Sequence, residues 1–277
     1  MSNLTVALPT LILPHFDSAR AARLTGAVIR RAELEPTDRV RMHELLANYF
    51  HGTSRAQFES DLAEKELVVL LRDSRTGQIQ GFSTLMSITT TIDGREIVAF
   101  FSGDTIVAHE YWGETILSKL WSQTVFAEAD RIRALRTGAS VFWFLICSGY
   151  KTWRFLPVFF REFYPHPQRL TPPHIKRILD ALGERKFGAA YHLEEGVVRF
   201  PFATPLREGV ADITEQRLRN PMIAFFQRMN PGHLIGDELA CLAEISRSNL
   251  TRAGERMVGP RMDDSLMGLK CFIAGSP

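Results

Sequence analysis

Gly113 stands between a strand-like run, DTIV at 104 to 107, and a helix-like run, ILSKLW at 116 to 121. The stretch DTIVAHEYWGETILSKLW therefore reads as strand, tight turn and helix. A helix start presents unpaired N–H groups and the positive end of the helix dipole, and glycine lets a ligand come close to the backbone. Together they make an anion site that needs no basic side chain. Groups able to move protons surround the turn. Asp104, on the incoming strand, is either a general base or a strand-edge carboxylate bonded to its own turn. His109 and Glu110 are either bases or solvated turn residues. Tyr150 and Tyr164 flank an aromatic segment, where each hydroxyl either reaches a cleft as a proton donor or caps the core beside water. Cys147 follows a run of apolar residues, which points to inert packing rather than a nucleophile.

The rest of the composition excludes more than it assigns. With 277 residues, 45% hydrophobic and 23% charged, the chain can bury one large core or two modest ones. Lys plus Arg number 33 against 31 Asp plus Glu, which leaves no electrostatic footprint for nucleic acid or a membrane surface. Cys147, Cys241 and Cys271 are far apart, without a CxxC pair or histidines at ligand spacing, so neither a disulfide framework nor a metal site is expected. A reducing cytoplasm is the expected compartment. The start lacks a basic n-region, and no run reaches the ~18 to 20 apolar residues of a membrane span.

The positioning elements follow from hydrophobic period. Residues 27 to 36 read as a first strand, with Thr37 and Asp38 offering a cap and an acidic first turn for a helix. Met42, Leu45, Leu46, Tyr49 and Phe50 form one face of that helix. Ser54 and Gln57 make a capping-box pattern for a second helix. LVVLLRD, QIQGFSTLMSITT and IVAFFSGDTIV then read as three antiparallel strands, the last two joined by a turn at Asp93-Gly94. SVFWFLICS is a buried strand. Helices are expected through KTWRFLPVFFREFYP, through TPPHIKRILDALGERKFG with an end near Gly183, and in NPMIAFFQRMNPG and LIGDELACLAEIS. EGVVRF is expected as a late strand.

The order strand, helix, helix, three antiparallel strands, helix, strand, helix, over about residues 27 to 165, resembles the GNAT superfamily of acyl-CoA-dependent N-acyltransferases. The resemblance implies an α/β (α+β) fold with a mixed, mostly antiparallel sheet flanked by helices. Residues 1 to 26 are an irregular lead-in. Residues 166 to 277 form a helical C-terminal extension that also completes the sheet. The family's pyrophosphate turn, Arg/Gln-x-x-Gly-x-Gly/Ala, maps onto Tyr111 to Thr115. Tyr111 and Trp112 stand at the Arg/Gln position, and Glu114 and Thr115 close the turn. The family's tyrosine acid has Phe160 at its nearest equivalent here.

By that resemblance, Ile106, Val107 and Ala108, followed by Trp112, Gly113, Glu114, Thr115 and Ile116, bind the coenzyme. Asp104 or His109 takes the proton of an amine acceptor, and Tyr150 returns one to the leaving thiolate. The donor is an acyl-CoA or the acyl-phosphopantetheine of an acyl carrier protein. The acceptor is an amino acid, a peptide or a small molecule. Phe144, Trp153, Leu156 and Phe160 suggest an apolar channel for a medium or long acyl chain, since each buried methylene gains about 0.8 kcal/mol. Core packing is their other reading. Two rivals remain, a GNAT-like module that binds an acyl ligand or a protein without turnover, and an ordinary acetyltransferase.

Overall fold

The computed structural model describes residues 22 to 260. Most of the N-terminal lead-in lies outside this range, as do Cys271 and the end of the C-terminal extension. The first strand, β1 (Leu24–Arg30), starts three residues before Ala27. Pro36 does not merely end it but opens α1 (Pro36–Ala47) as the N1 residue, with Glu35 at the cap in place of Thr37. Met42, Leu45 and Leu46 are buried as expected. In α2 (Arg55–Ala63) the Ser54 hydroxyl accepts from the Gln57 N–H at 3.1 Å.

The meander β2 (Leu67–Asp73), β3 (Ile79–Ile92) and β4 (Arg95–Val107) follows. Asp93 and Gly94 both have positive φ, 51° and 75°, the backbone of a two-residue hairpin turn that matches strand twist. The long helix α3 (Ile116–Leu135) crosses to β5 (Ser140–Cys147). The strand order is β1-β2-β3-β4-β5-β8-β7-β6, and only β4 and β5 run parallel. This mixed, mostly antiparallel sheet agrees with the GNAT-like fold expected from the sequence.

Three expectations fail, each for a physical reason. The segment 151 to 165 is not one helix but two short turns, α4 (Tyr150–Trp153) and α5 (Phe155–Phe159). The backbone from Phe159 onward bonds to the chain's C-terminal part instead, with Arg161 N–H to Asn249 O and Tyr164 N–H to Leu242 O, each at 2.8 Å. Gly183 does not end α6 (Pro173–Phe187); it gives the Tyr191 ring room to pack on the helix. Between α6 and the last strand lie the short strands β6 (Tyr191–His192) and β7 (Val197–Val198) and the helices α7 (Glu215–Leu218) and α8 (Pro221–Met229).

The third failure matters most. Most of LIGDELACLAEIS is the strand β8 (Glu238–Glu244), inserted between β5 and β7. Its leucines and alanines favour a helix in isolation, but they suit a strand covered on both faces. Leu239, Cys241 and Ala243 face one core; Ala240 and Leu242 face the other. The chain continues to α9 (Arg252–Val258).

The sheet separates two layers. On one face α3 packs Trp121 and Phe126 against Trp143 and Phe160. On the other, α6 covers Phe101, Phe144 and Leu242. Farther along that second face, Phe58 of α2 meets Phe82 edge-on at 6.4 Å.

Candidate active site

Parallel pairing of β4 with β5 runs from Ile97–Ser140 to Ser102–Leu145 and stops there, although β4 continues to Val107. Trp143 fastens the last rung, its Nε1 donating to Ser102 Oγ at 2.9 Å. Just beyond, the β3–β4 register jumps from Leu85–Ser102 to Ser83–Thr105. One residue on β3, Thr84, is thus matched by two on β4, a bulge at Gly103 and Asp104 that bends β4 away from its neighbour. Ala108 N–H bonds to Gln80 O at 2.7 Å. Alternation then turns the N–H groups of Thr105 and Val107 to the opposite edge, into the gap where β5 has diverged.

The turn beyond β4 is built to stay put. Tyr111 is buried, and its hydroxyl donates to Asp73 Oδ2 at 2.7 Å. That bond, with the Thr76 and Arg75 N–H groups, holds the Asp73 carboxyl well below the usual range. Trp112 folds back, its Nε1 donating to Val107 O at 2.8 Å, and Lys151 Nζ lies 3.8 Å over its ring. Gly113 has φ 97°, which a side chain adopts only under strain, with open space around it. Thr115 is the N-cap of α3 without a side-chain bond. Among the described residues, none of the N–H groups of residues 115 to 118 makes a backbone hydrogen bond. Gly113, Thr115 and Ile116 therefore stand at an open helix start beside the divergent strands, where N–H groups without backbone partners meet the positive end of the helix dipole. Glu114 is exposed at its rim and adds negative charge there.

Gly113→Ala forces the turn out of its positive-φ backbone, at about 1 to 3 kcal/mol of local strain. It should weaken donor binding more than global stability. Calorimetry showing equal donor affinity in a folded variant would reject the assignment.

Asp104 and the other proposed proton carriers are separated. His109 is exposed and tilted against Trp112, with ring centroids 4.4 Å apart. Tyr150 is buried where α4 leaves the end of β5, with the Arg217 guanidinium 5.9 Å from its ring centre. Asp104 lies instead on the α6 side of the sheet, half-buried. Burial pushes its carboxyl up to about 6, against the pull of the Lys65 ammonium and with help from Asp61.

The residues that the sequence left unmarked gather there. Lys65 is buried at the end of α2, its ammonium donating to Asp61 O at 3.0 Å. A side chain at Gly103 would collide with Lys65 and with Thr84 Oγ1. Glu238, at the start of β8, is raised to about 7 by burial and by the charges of Asp104 and Asp61, against a hydrogen bond from Ser148. Asn230 fixes that strand start, its amide donating to Asp237 O at 2.8 Å. The signal for Glu238 was the glycine at 236 before an apolar run with charges at both ends, a strand pattern.

The four expected channel residues do not share a wall. All are buried, but Phe144 belongs to the α6 layer, while Phe160 stacks on Phe126 of α3 and Trp153 packs on Phe163, Phe225 and Phe226, with Leu156 in the same cluster. Strand alternation accounts for the split, since Trp143 rather than Phe144 faces α3. Among the described residues, no group of His, Cys, Asp or Glu side chains is arranged to hold a metal, and no helix is long and apolar enough to cross a membrane.

No protein-family model and no curated protein matches the chain in sequence. Among solved structures, it is similar to a probable N-acyltransferase from Enterococcus faecalis, at 15% identity and a TM-score of 0.37, over 50% of this chain and 33% of that one. It is also similar to a GNAT family N-acetyltransferase from Escherichia coli in complex with CoA, at 19% identity and a TM-score of 0.33, over 50% of this chain and 71% of that one. A third is Saccharomyces cerevisiae N-myristoyltransferase with bound myristoyl-CoA, at 9% identity and a TM-score of 0.35, over 51% of this chain and 32% of that one. The chain matches about a third of the length of the Enterococcus protein.

Proposed function

We propose that the chain is an N-acyltransferase that moves an acyl group from a CoA or carrier-protein thioester to an amine. The observation that carries this reading is the divergence of the parallel strands β4 and β5 after Ser102, beside the unpaired amides that open α3. The gap offers strand-edge N–H groups for an extended pantetheine arm, and the helix start offers an anion site for its phosphate. The amine nitrogen bonds to the thioester carbon, the C–S bond breaks and the thiol departs, with no covalent enzyme intermediate. Asp104 accepts the ammonium proton before attack; as the C–S bond breaks Tyr150 supplies a proton to the thiolate, and the second proton lost by the nitrogen restores the Tyr150 hydroxyl.

The preference for a medium or long acyl chain now rests on Trp153, Leu156 and Phe160, which must part to admit it. The experiment is a donor series from two to sixteen carbons with a permissive amine, read by release of free thiol. An optimum beyond about eight carbons supports the long-chain reading. An optimum at acetyl returns these residues to core packing. Donor binding without thiol release from any thioester would leave a binding module.

A further inference from the structure

Glu238 belongs to no element of the donor site, and its position has a use of its own. Along β8 its side chain shares a face with Ala240 and Leu242, which pack in the α6 layer. The bulge in β4 turns Gly103 and Asp104 toward that same layer, since a side chain on Gly103 would strike Thr84 and Lys65 there. Glu238 and Asp104 thus flank the end of β5 from either side, and the charge of Asp104 acts on Glu238. The Thr84 hydroxyl, 1% exposed, faces this bulge without a hydrogen-bond partner among the described residues. A buried hydroxyl left unpaired calls for a partner, a water, an ion or a ligand group.

The charge around this space is unbalanced. Asp61, Asp104 and Glu238 face it with the Lys65 ammonium, while at its edge Glu64 pairs with Lys186 and also lies 4.0 Å from Lys65. Behind Glu238, burial raises the Cys147 thiol well above its ordinary value, so that group stays neutral. Ionised, the carboxylates leave an excess of two negative charges. Such a space attracts an ammonium and repels a second carboxylate carried beside it.

We infer that the space between Asp104, Glu238 and Thr84 is the acceptor site, and that it takes a primary ammonium without a neighbouring carboxylate, Glu238 setting this preference. The inference rests on the acyltransferase reading for its use but not for its chemistry. Asp104 removes the proton; Glu238 holds the cation. Above pH 7 both carboxylates are ionised and acceptor affinity is highest. As pH falls through about 7, Glu238 is protonated and affinity drops.

The test compares an α-amino acid with its own carboxamide as acceptors, in the wild type, in Glu238→Gln and in Asp61→Asn. The wild type should prefer the amide about tenfold or more in kcat/KM. Glu238→Gln should raise the amide's KM about tenfold, leave donor affinity unchanged, shrink the preference and remove the pH dependence of KM near 7. Glu238→Asp should restore part of it, and Asp61→Asn should act in the same direction more weakly. Equal use of acid and amide by the wild type, or an unchanged KM in a Glu238→Gln variant that melts normally, would overturn the inference while leaving the acyltransferase reading intact. Calorimetry without donor, using the amide alone, separates the converse case. Amide binding that depends on Glu238 without any thiol release would retain the site and remove the reaction.

Discussion

Asp104→Asn is expected to lower turnover by about 10²- to 10⁴-fold while donor affinity stays near that of the wild type, because the change removes a proton acceptor and little volume. The pH profile carries the second half of the expectation. A base works deprotonated, so wild-type activity should climb as pH rises through about 6, where burial has placed this carboxyl. The variant should lose that limb. Stability should move the other way. A carboxyl raised above its ordinary value contributes fully to folding below that value, and the contribution is lost as pH rises through about 6. Asp104→Asn should therefore melt no lower than the wild type at pH 8. Unchanged turnover with a lower melting temperature would make Asp104 a structural residue and pass the base role to His109, Glu110 or a water.

A chain ended at residue 165 is expected not to fold cooperatively, although the sequence pattern that resembles an acyltransferase core ends there. The paired stretch of β5, from Phe142 to Cys147, has β8 as its neighbour on one edge, and without β8 that edge and the apolar faces beside it meet water. Within the full chain, Leu242→Ala removes a fully buried side chain beneath α6 and should cost about 2 to 5 kcal/mol. Urea titration followed by circular dichroism measures both. A cooperative transition in the shortened chain would show that the extension decorates a self-sufficient core.

What the sequence revealed of this fold follows from how each signal is written. β2, β3 and β4 were legible because alternation and the Asp93-Gly94 turn act over a few residues. The helix after Gly113 was legible for the same reason. β8 was not, because a strand covered on both faces loses its alternation and its Leu and Ala content then argues for helix. The segment after Phe159 failed likewise, since its pairing partners lie some eighty residues away and leave no local mark. Asp104 could be picked as a carboxylate on the right strand. Its companions Lys65, Thr84 and Glu238 come from three other elements, and only the bulge and the strand order bring them together. That Phe144 lies apart from the other three channel residues left no mark in composition, because aromatic residues next to one another on a strand point to opposite sides of the sheet.

The Trp112 indole, laid over the end of β4 and beneath the Lys151 ammonium, gives the molecule an optical property. Of its four tryptophans, Trp121, Trp143 and Trp153 are buried, while Trp112 is 40% exposed. The red edge of the intrinsic emission, and most of its quenching by soluble quenchers, therefore belong to one ring. That ring sits against the turn where the donor's phosphate is expected, so the unlabelled protein carries its own fluorescent reporter of donor arrival.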